Sequence, residues 1–230
     1  MKSQSDPLLE NILEEMIEIP AGTIVLRDDR IQKEWKVDIE PFLLSPFQLS
    51  QEIYKEVMHA NPSAFKGSKL PVESVSWLEA ANFCNLLSEK LNFEPSYQLK
   101  HKSFVFNPKA NGFRLPTEAE WEYACKAGTT DIRYGELNDI AWYKANSGQK
   151  TQEVGSKQPN EWDLYDMLGN VWEWCSDIYD ETVYGSYRIF RGGGWNDEER
   201  GCLATNRRRS HPTAFKIDDL GFRLAKNLTK

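Results

Sequence analysis

The stretch Leu164-Tyr165-Asp166-Met167-Leu168-Gly169-Asn170-Val171-Trp172-Glu173-Trp174 decides the fold of this 230-residue chain. Gly169-Asn170 indicates a tight turn, because both residue types tolerate left-handed backbone. The following residues, Val171 to Trp174, are typical of a short strand. In a strand Trp172 and Trp174 share one face, and Glu173 points to the other. Glu173 is then either exposed, or buried and in need of a cation or hydrogen-bond donors.

Composition limits the class of protein. The net charge of −7 argues against a nucleic-acid partner. No run approaches about 18 consecutive apolar residues, so we expect no transmembrane helix. Residues 1–16 are polar and acidic and lack a signal-peptide pattern, which predicts a leader before a domain at 17–226 and a cytoplasmic location. Four cysteines without a CxxC pair are expected to be reduced and buried.

Local signals predict several elements in the N-terminal half. Ser76 with Glu79 and Thr117 with Glu120 are capping boxes, each followed by apolar residues at helical spacing. Ser50 is expected to cap a short helix that ends near Met58. Two alternating runs, 18–26 and 35–39, predict a β-hairpin.

The C-terminal half, from Asp131 onward, has little helical pattern. Turn residues and short aromatic runs dominate it, and no internal repeat is evident. The chain is therefore predicted to be a single α+β domain with a large irregular half.

Six segments, taken together, resemble the formylglycine-generating enzyme (sulfatase-modifying factor) family. They occur in the family's order and span roughly residues 17–226: 19–23, 71–77, Phe113-Arg114-Leu115-Pro116-Thr117-Glu118-Ala119-Glu120-Trp121-Glu122-Tyr123-Ala124, 164–174, Arg191-Gly192-Gly193-Gly194-Trp195, and Gly221-Phe222-Arg223-Leu224. The resemblance implies the family's variant of the C-type lectin fold, with little regular secondary structure. It also implies a functionally mixed family, since one fold serves oxygen-dependent oxidation of a cysteine, iron-dependent sulfoxide synthesis and ligand binding without chemistry.

The catalytic cysteine pair of the copper-dependent members is incomplete here. By position, Asp197 stands at the first cysteine and Cys202 at the second. Copper(I) prefers thiolates to carboxylates, so copper binding is not expected. Cys202 is either a buried small residue or a thiol activated by the nearby arginines 200 and 207–209. Those arginines are equally suited to ion pairs with Asp197, Glu198 and Glu199.

The sequence also bears on iron and calcium. An iron centre is not expected, because His59, His101 and His211 are scattered. The family's calcium loop corresponds to the opening stretch. Carried over by position, its ligands are the side chains of Asp166 and Glu173 and the carbonyls of Met167, Gly169 and Val171, and oxygen ligands suit calcium. The competing hypothesis is that Arg191 or Arg223 neutralises Glu173 directly.

The sequence is compatible with two functions. The first is a calcium-stabilised, non-catalytic or divergent module that binds a protein, peptide or small molecule through the surface 195–212. Trp195, Asn196 and Arg207 are its candidate ligand contacts. The second is a metal-dependent oxidoreductase that acts on a sulfur-containing or peptide substrate through Cys202, with Asp197 beside it.

Overall fold

The computed structural model describes residues 7–100 and 103–228. Six α-helices are present in that part of the chain: α1 (Pro7–Glu15), α2 (Gln51–Met58), α3 (Trp77–Lys90), α4 (Glu118–Lys126), α5 (Leu137–Ile140) and α6 (Glu181–Tyr184). Twelve short strands accompany them: β1 (Ile17–Ile19), β2 (Gly22–Asp28), β3 (Lys33–Ile39), β4 (Phe42–Leu44), β5 (Tyr97–Lys100), β6 (Ser103–Phe106), β7 (Phe113–Arg114), β8 (Trp172–Ile178), β9 (Arg188–Arg191), β10 (Arg207–Ser210), β11 (Leu220–Gly221) and β12 (Ala225–Asn227). A 3₁₀ turn lies at Glu199–Gly201.

The strands form two four-stranded sheets and two hairpins. One sheet has the order β1-β4-β12-β7 and the other β10-β9-β8-β11, while β2 pairs with β3 and β5 with β6. The β11–β8 pair is parallel, and the other pairs are antiparallel. Long loops connect these short elements, which confirms the α+β class with little regular secondary structure.

The structure confirms the elements that the local signals predict. Ser76 and Thr117 cap α3 and α4 through complete capping boxes, Ser50 caps α2, and the predicted hairpin is β2–β3. The N-terminal leader differs from expectation, because α1 places Leu9 and Ile12 in the core at 3% and 7% exposure. The segment therefore joins the domain from Pro7 onward, while residues 1–6 lie outside the described part.

Strand β8 divides the two hydrophobic clusters of the core. Trp172 and Trp174 pack edge-on against Phe190, at ring-centroid distances of 5.4 and 5.2 Å. Glu173 points the other way, toward the cluster that contains Trp121. The alternation expected from the sequence is thus present, and it brings one carboxylate into the centre of the molecule. Within the described residues, no helix is long and apolar enough to span a bilayer.

Candidate functional site

Glu173 is completely buried, at 0% exposure. The Arg223 guanidinium donates Nε to its Oε2 at 2.6 Å and Nη2 to its Oε1 at 2.8 Å. The Trp121 indole Nε1 also donates to Oε2, at 2.8 Å. Of the two arginines suggested by the sequence, Arg223 is therefore the one that pairs with Glu173, through a two-point contact typical of strong guanidinium–carboxylate pairs.

Gln48 lies inside the turn that precedes β8. Its Nε2 is 3.1 Å from the carbonyl oxygen of Asp166, 3.3 Å from that of Gly169 and 2.8 Å from that of Val171. The same nitrogen is 3.0 Å from Glu173 Oε1. Four acceptors thus converge on one amide nitrogen, whose two protons they must share.

The predicted calcium does not fit this arrangement. Calcium takes about six to eight oxygen ligands, but the point of convergence holds Gln48 Nε2, which is a donor. Both Glu173 oxygens already accept from Trp121, Gln48 and Arg223. Calcium therefore remains a prediction of the resemblance, and the geometry favours the competing hypothesis, in which Arg223 neutralises Glu173.

Two further predicted calcium ligands are also placed differently. The Met167 carbonyl lies 4.0 Å from the Cys125 sulfur rather than in the ring of carbonyls. Asp166 Oδ2 accepts from the Gly155 amide at 2.7 Å. Asp166 Oδ1 is buried and has no hydrogen-bond partner among the described residues, which leaves it as the one free ligand atom of the predicted set.

Asp197 organises the loop that follows β9. Its Oδ2 accepts from Trp172 Nε1 at 2.6 Å and from the Gly194 amide at 3.0 Å. Its Oδ1 accepts from Arg208 Nη2 at 3.1 Å, and this guanidinium lies 4.5 Å from the centre of the Trp172 ring. The carboxylate at the first cysteine position thus ties the loop to β8 and β10.

Cys202 is buried beneath the same loop, at 0% exposure. Burial, followed by the negative charge of Asp197, raises the pKa of its thiol to about 12 and outweighs the opposite influence of Arg133 and Arg208. The thiolate is the reactive and metal-binding form of cysteine. The arginines near Cys202 in sequence therefore do not activate it.

All four cysteines should be unreactive toward a thiol reagent such as dithionitrobenzoate in the native protein. Each is buried and unpaired, and burial raises the pKa of each thiol. Four thiols should react once the protein is unfolded in guanidinium chloride. Fast reaction of Cys202 in the native state would instead show that the loop opens.

The three candidate ligand contacts lie in different environments. Trp195 is 8% exposed, donates Nε1 to the Asp218 carbonyl at 2.9 Å and packs edge-on against Phe65. Asn196 is exposed. Arg207 donates Nε and Nη2 to Glu118 at 2.6 and 2.8 Å. Of the three, Asn196 is the one available to a ligand without rearrangement.

Arg207 belongs to an ion-pair network that the sequence analysis missed. Glu118 also contacts Arg191, at 3.2 Å, and Arg191 in turn pairs with Glu122. Arg207 Nη1 reaches Asp28 at 2.9 Å. One feature of the sequence could have indicated this network. Glu118 and Glu122 are four residues apart, which places two carboxylates on the Trp121 face of α4.

Over residues 7–100 and 103–228, no three His, Cys, Asp or Glu side chains come together in a metal-binding group. His59 ends α2 with left-handed backbone, and His211 Nδ1 accepts from the Thr213 amide at 3.3 Å. His101 lies outside the described residues. The expected absence of iron and copper stays a prediction.

The architecture is that of a loop-rich α+β domain whose C-terminal loops are held against one central strand. A family model described as "Sulfatase-modifying factor enzyme 1-like domain" matches residues 3–228. The chain therefore belongs to the sulfatase-modifying factor family.

Individual relatives support this assignment. "Chaperone protein LppX" of Paenibacillus barcinonensis is 33% identical over 80% of this chain and 78% of that protein. The structure of "Treponema denticola variable protein 1" superposes with a TM-score of 0.83, at 36% identity, over 93% of this chain and 95% of that one. "Inactive C-alpha-formylglycine-generating enzyme 2" of Bos taurus is 31% identical over 68% of this chain, which spans 58% of the bovine protein.

Proposed function

We propose that the chain is a non-catalytic member of the family and binds another protein through the surface 195–212. The observation that carries the proposal is that the side chains of Asp197 and Cys202 are both unavailable to a ligand. The carboxylate is engaged by Trp172, Gly194 and Arg208, and the thiol is buried with its pKa raised to about 12. Neither group is free to hold a substrate or a metal.

The character of the surface supports binding of a protein. Its exposed residues are mixed in type: Asn196, Glu198, Glu199, Arg200, Arg208 and His211. Charged and hydrogen-bonding side chains of this kind form the polar rim of protein interfaces, and arginine is enriched at such interfaces. One relative is named a chaperone and another an inactive form of the enzyme, and both names agree with a role in which the domain binds a protein and performs no chemistry.

No oxygen consumption is expected when the protein is mixed with copper(I) and a cysteine-containing peptide. The control is the Cys202→Ala variant, which should give the same background. Turnover that disappears in Cys202→Ala would overturn the proposal in favour of an oxidoreductase. Asp197→Cys is also expected to remain inactive, because it restores one thiol but removes the acceptor of the Trp172 indole and the Gly194 amide, at about 1–3 kcal/mol for each buried donor left unpaired.

Protein binding is tested by placing a photo-crosslinking amino acid at Asn196 in the cells of origin. A discrete protein adduct is expected at Asn196 and not at Lys36, an exposed position on β3. Absence of an adduct at Asn196 would contradict the proposed function.

A further inference from the structure

We propose that β10 is the docking edge for an extended, acidic segment of the partner protein, an inference that rests on the proposed function. β10 is the outer strand of its sheet and pairs with β9 on one side only. Apart from β9, no segment in the described part of the chain forms a backbone hydrogen bond with residues 207–210. The outward N–H and C=O groups of such an edge can pair with an added strand.

An arginine-lined cavity lies beside this edge. Arg27, Arg30, Arg200 and Arg207 line it together with Asp28 and Asp29, and its volume is about 300 Å³. Asp28 already accepts from Arg30 and Arg207, at 2.8 and 2.9 Å. The hydrogen bond from Arg30 is the largest influence that lowers the pKa of Asp28, to about 2. The internal carboxylate is thus ionised and shared between two guanidinium groups.

Among the arginines that line the cavity, Arg200 is the one without an ion pair in the described part of the chain, although it interacts with Glu198 at longer range. Its side chain is exposed, whereas the other three arginines pair with Asp28 or Asp29. A carboxylate from a bound segment would complete the pairing. Arginine favours such contacts because its planar group binds both oxygens of a carboxylate.

Arg209 extends the cationic surface along β10 itself. Its guanidinium lies 3.7 Å from the centre of the Tyr184 ring and 4.6 Å from that of Tyr179. Its Nε is buried and has no hydrogen-bond partner in the described chain. Arginine and tyrosine are among the residue types that are enriched where interface energy is concentrated. This Arg–Tyr stack therefore provides a rigid cationic contact next to the open strand edge.

The arginines of β10 and of the neighbouring cavity determine which kind of partner can bind at this edge. A second copy that paired β10 with β10 in antiparallel fashion would place arginine opposite arginine, which is destabilising. A nucleic acid could contact the arginines, but it has no peptide N–H and C=O groups with which to extend the sheet at β10. An acidic polypeptide satisfies both the open backbone groups and the unpaired arginines, so we assign the edge to it.

The test uses two synthetic peptides, acetyl-Val-Glu-Val-Glu-Val-Glu-amide and its lysine counterpart, titrated into the ¹⁵N-labelled protein. The glutamate peptide should shift the amide signals of residues 207–210, and the lysine peptide should not. Arg200→Glu should weaken binding by at least about tenfold, as expected when an attractive charge becomes repulsive. The matched control is Lys36→Glu, on the opposite face of the hairpin from Trp35, and it should bind normally.

Several results would contradict the assignment of β10 as a docking edge. These are equal binding of both peptides, shifts confined to other regions, tighter binding of single-stranded oligothymidine, or concentration-dependent dimerisation through β10. A second variant, Arg209→Gln, should also weaken binding while its melting curve stays near that of the parent. If Asn196 crosslinks a partner but the glutamate peptide does not bind, the edge assignment fails and the proposed function stands.

Discussion

Replacing Arg223 with methionine should lower the free energy of unfolding by about 3–5 kcal/mol, because Glu173 would keep a buried charge without a cation to balance it. Both side chains of this pair are at most 1% exposed. A loss of that size corresponds to a fall in melting temperature of roughly 10 °C for a domain of this length. Urea unfolding followed by tryptophan fluorescence measures the change.

Two further variants test whether the loss of stability in Arg223→Met comes from the buried ion pair. Arg27→Met removes an exposed arginine from a pair with Asp29, and such pairs contribute little. The double variant Arg223→Met/Glu173→Gln removes both charges and should recover part of the lost stability. A loss for Arg223→Met no greater than that for Arg27→Met would contradict the role of the buried pair.

A chelator should leave the melting curve unchanged, because Gln48 and Arg223 already occupy the acceptors that calcium would use. Gln48→Ala, by contrast, should destabilise the protein by about 1–3 kcal/mol, since the buried carbonyls of Asp166, Gly169 and Val171 lose their shared donor. The calcium hypothesis predicts the opposite effect of a chelator on the melting temperature. A melting temperature that falls in excess EDTA and returns on addition of calcium would establish it and overturn the geometric argument.

Asp177→Asn should stabilise the protein at pH 8 by about 2–3 kcal/mol and leave it nearly unchanged at pH 4. Burial, then the charge of Glu118, raises the pKa of Asp177 from 3.8 to about 6 in the folded state, against the opposite influence of Arg188. The folded protein thus binds this proton more tightly than the unfolded chain. The stabilisation is complete below pH 3.8 and is lost as the pH rises through about 6.

Asparagine keeps the contact that Asp177 makes with α4. The Glu118 amide donates to Asp177 Oδ2 at 2.6 Å, and an amide oxygen accepts the same bond without carrying charge. Denaturant titrations of both proteins at pH 4, 6 and 8 measure the difference, with Asp131→Asn as the exposed control. A variant that loses stability at pH 8 would show that the ionised carboxylate is favourable there.

Elements specified by neighbouring residues could be predicted from the sequence, whereas long-range partners could not. A capping box depends on two residues only three positions apart. The pairs Ser76 with Glu79 and Thr117 with Glu120 were therefore sufficient to predict where their helices begin. The alternation of Trp172, Glu173 and Trp174 likewise showed that one carboxylate faces away from the two indoles.

The partners of Glu173 lie far away in the chain. Arg223 is 50 residues from Glu173, and Gln48 is 125 residues from it. Arg223 was one of two possible arginines, and no local pattern distinguished it from Arg191, which lies directly opposite Glu173 in the sheet. Gln48 carried no signal, because a glutamine next to a predicted helix start is ordinary. The position of an amide at the centre of the turn depends on the whole tertiary fold.

The sheet order β1-β4-β12-β7 has a consequence for how the chain is made. Ala225–Asn227 lies between Phe42–Leu44 and Phe113–Arg114 and pairs with both. On a ribosome, the two earlier strands emerge long before the residues that join them, so this layer cannot be completed until synthesis has passed residue 227. Contacts between such distant segments also slow folding, because a long loop must close before they form. The nascent domain is therefore expected to expose part of its core throughout translation, which makes its yield in cells sensitive to the rate of elongation.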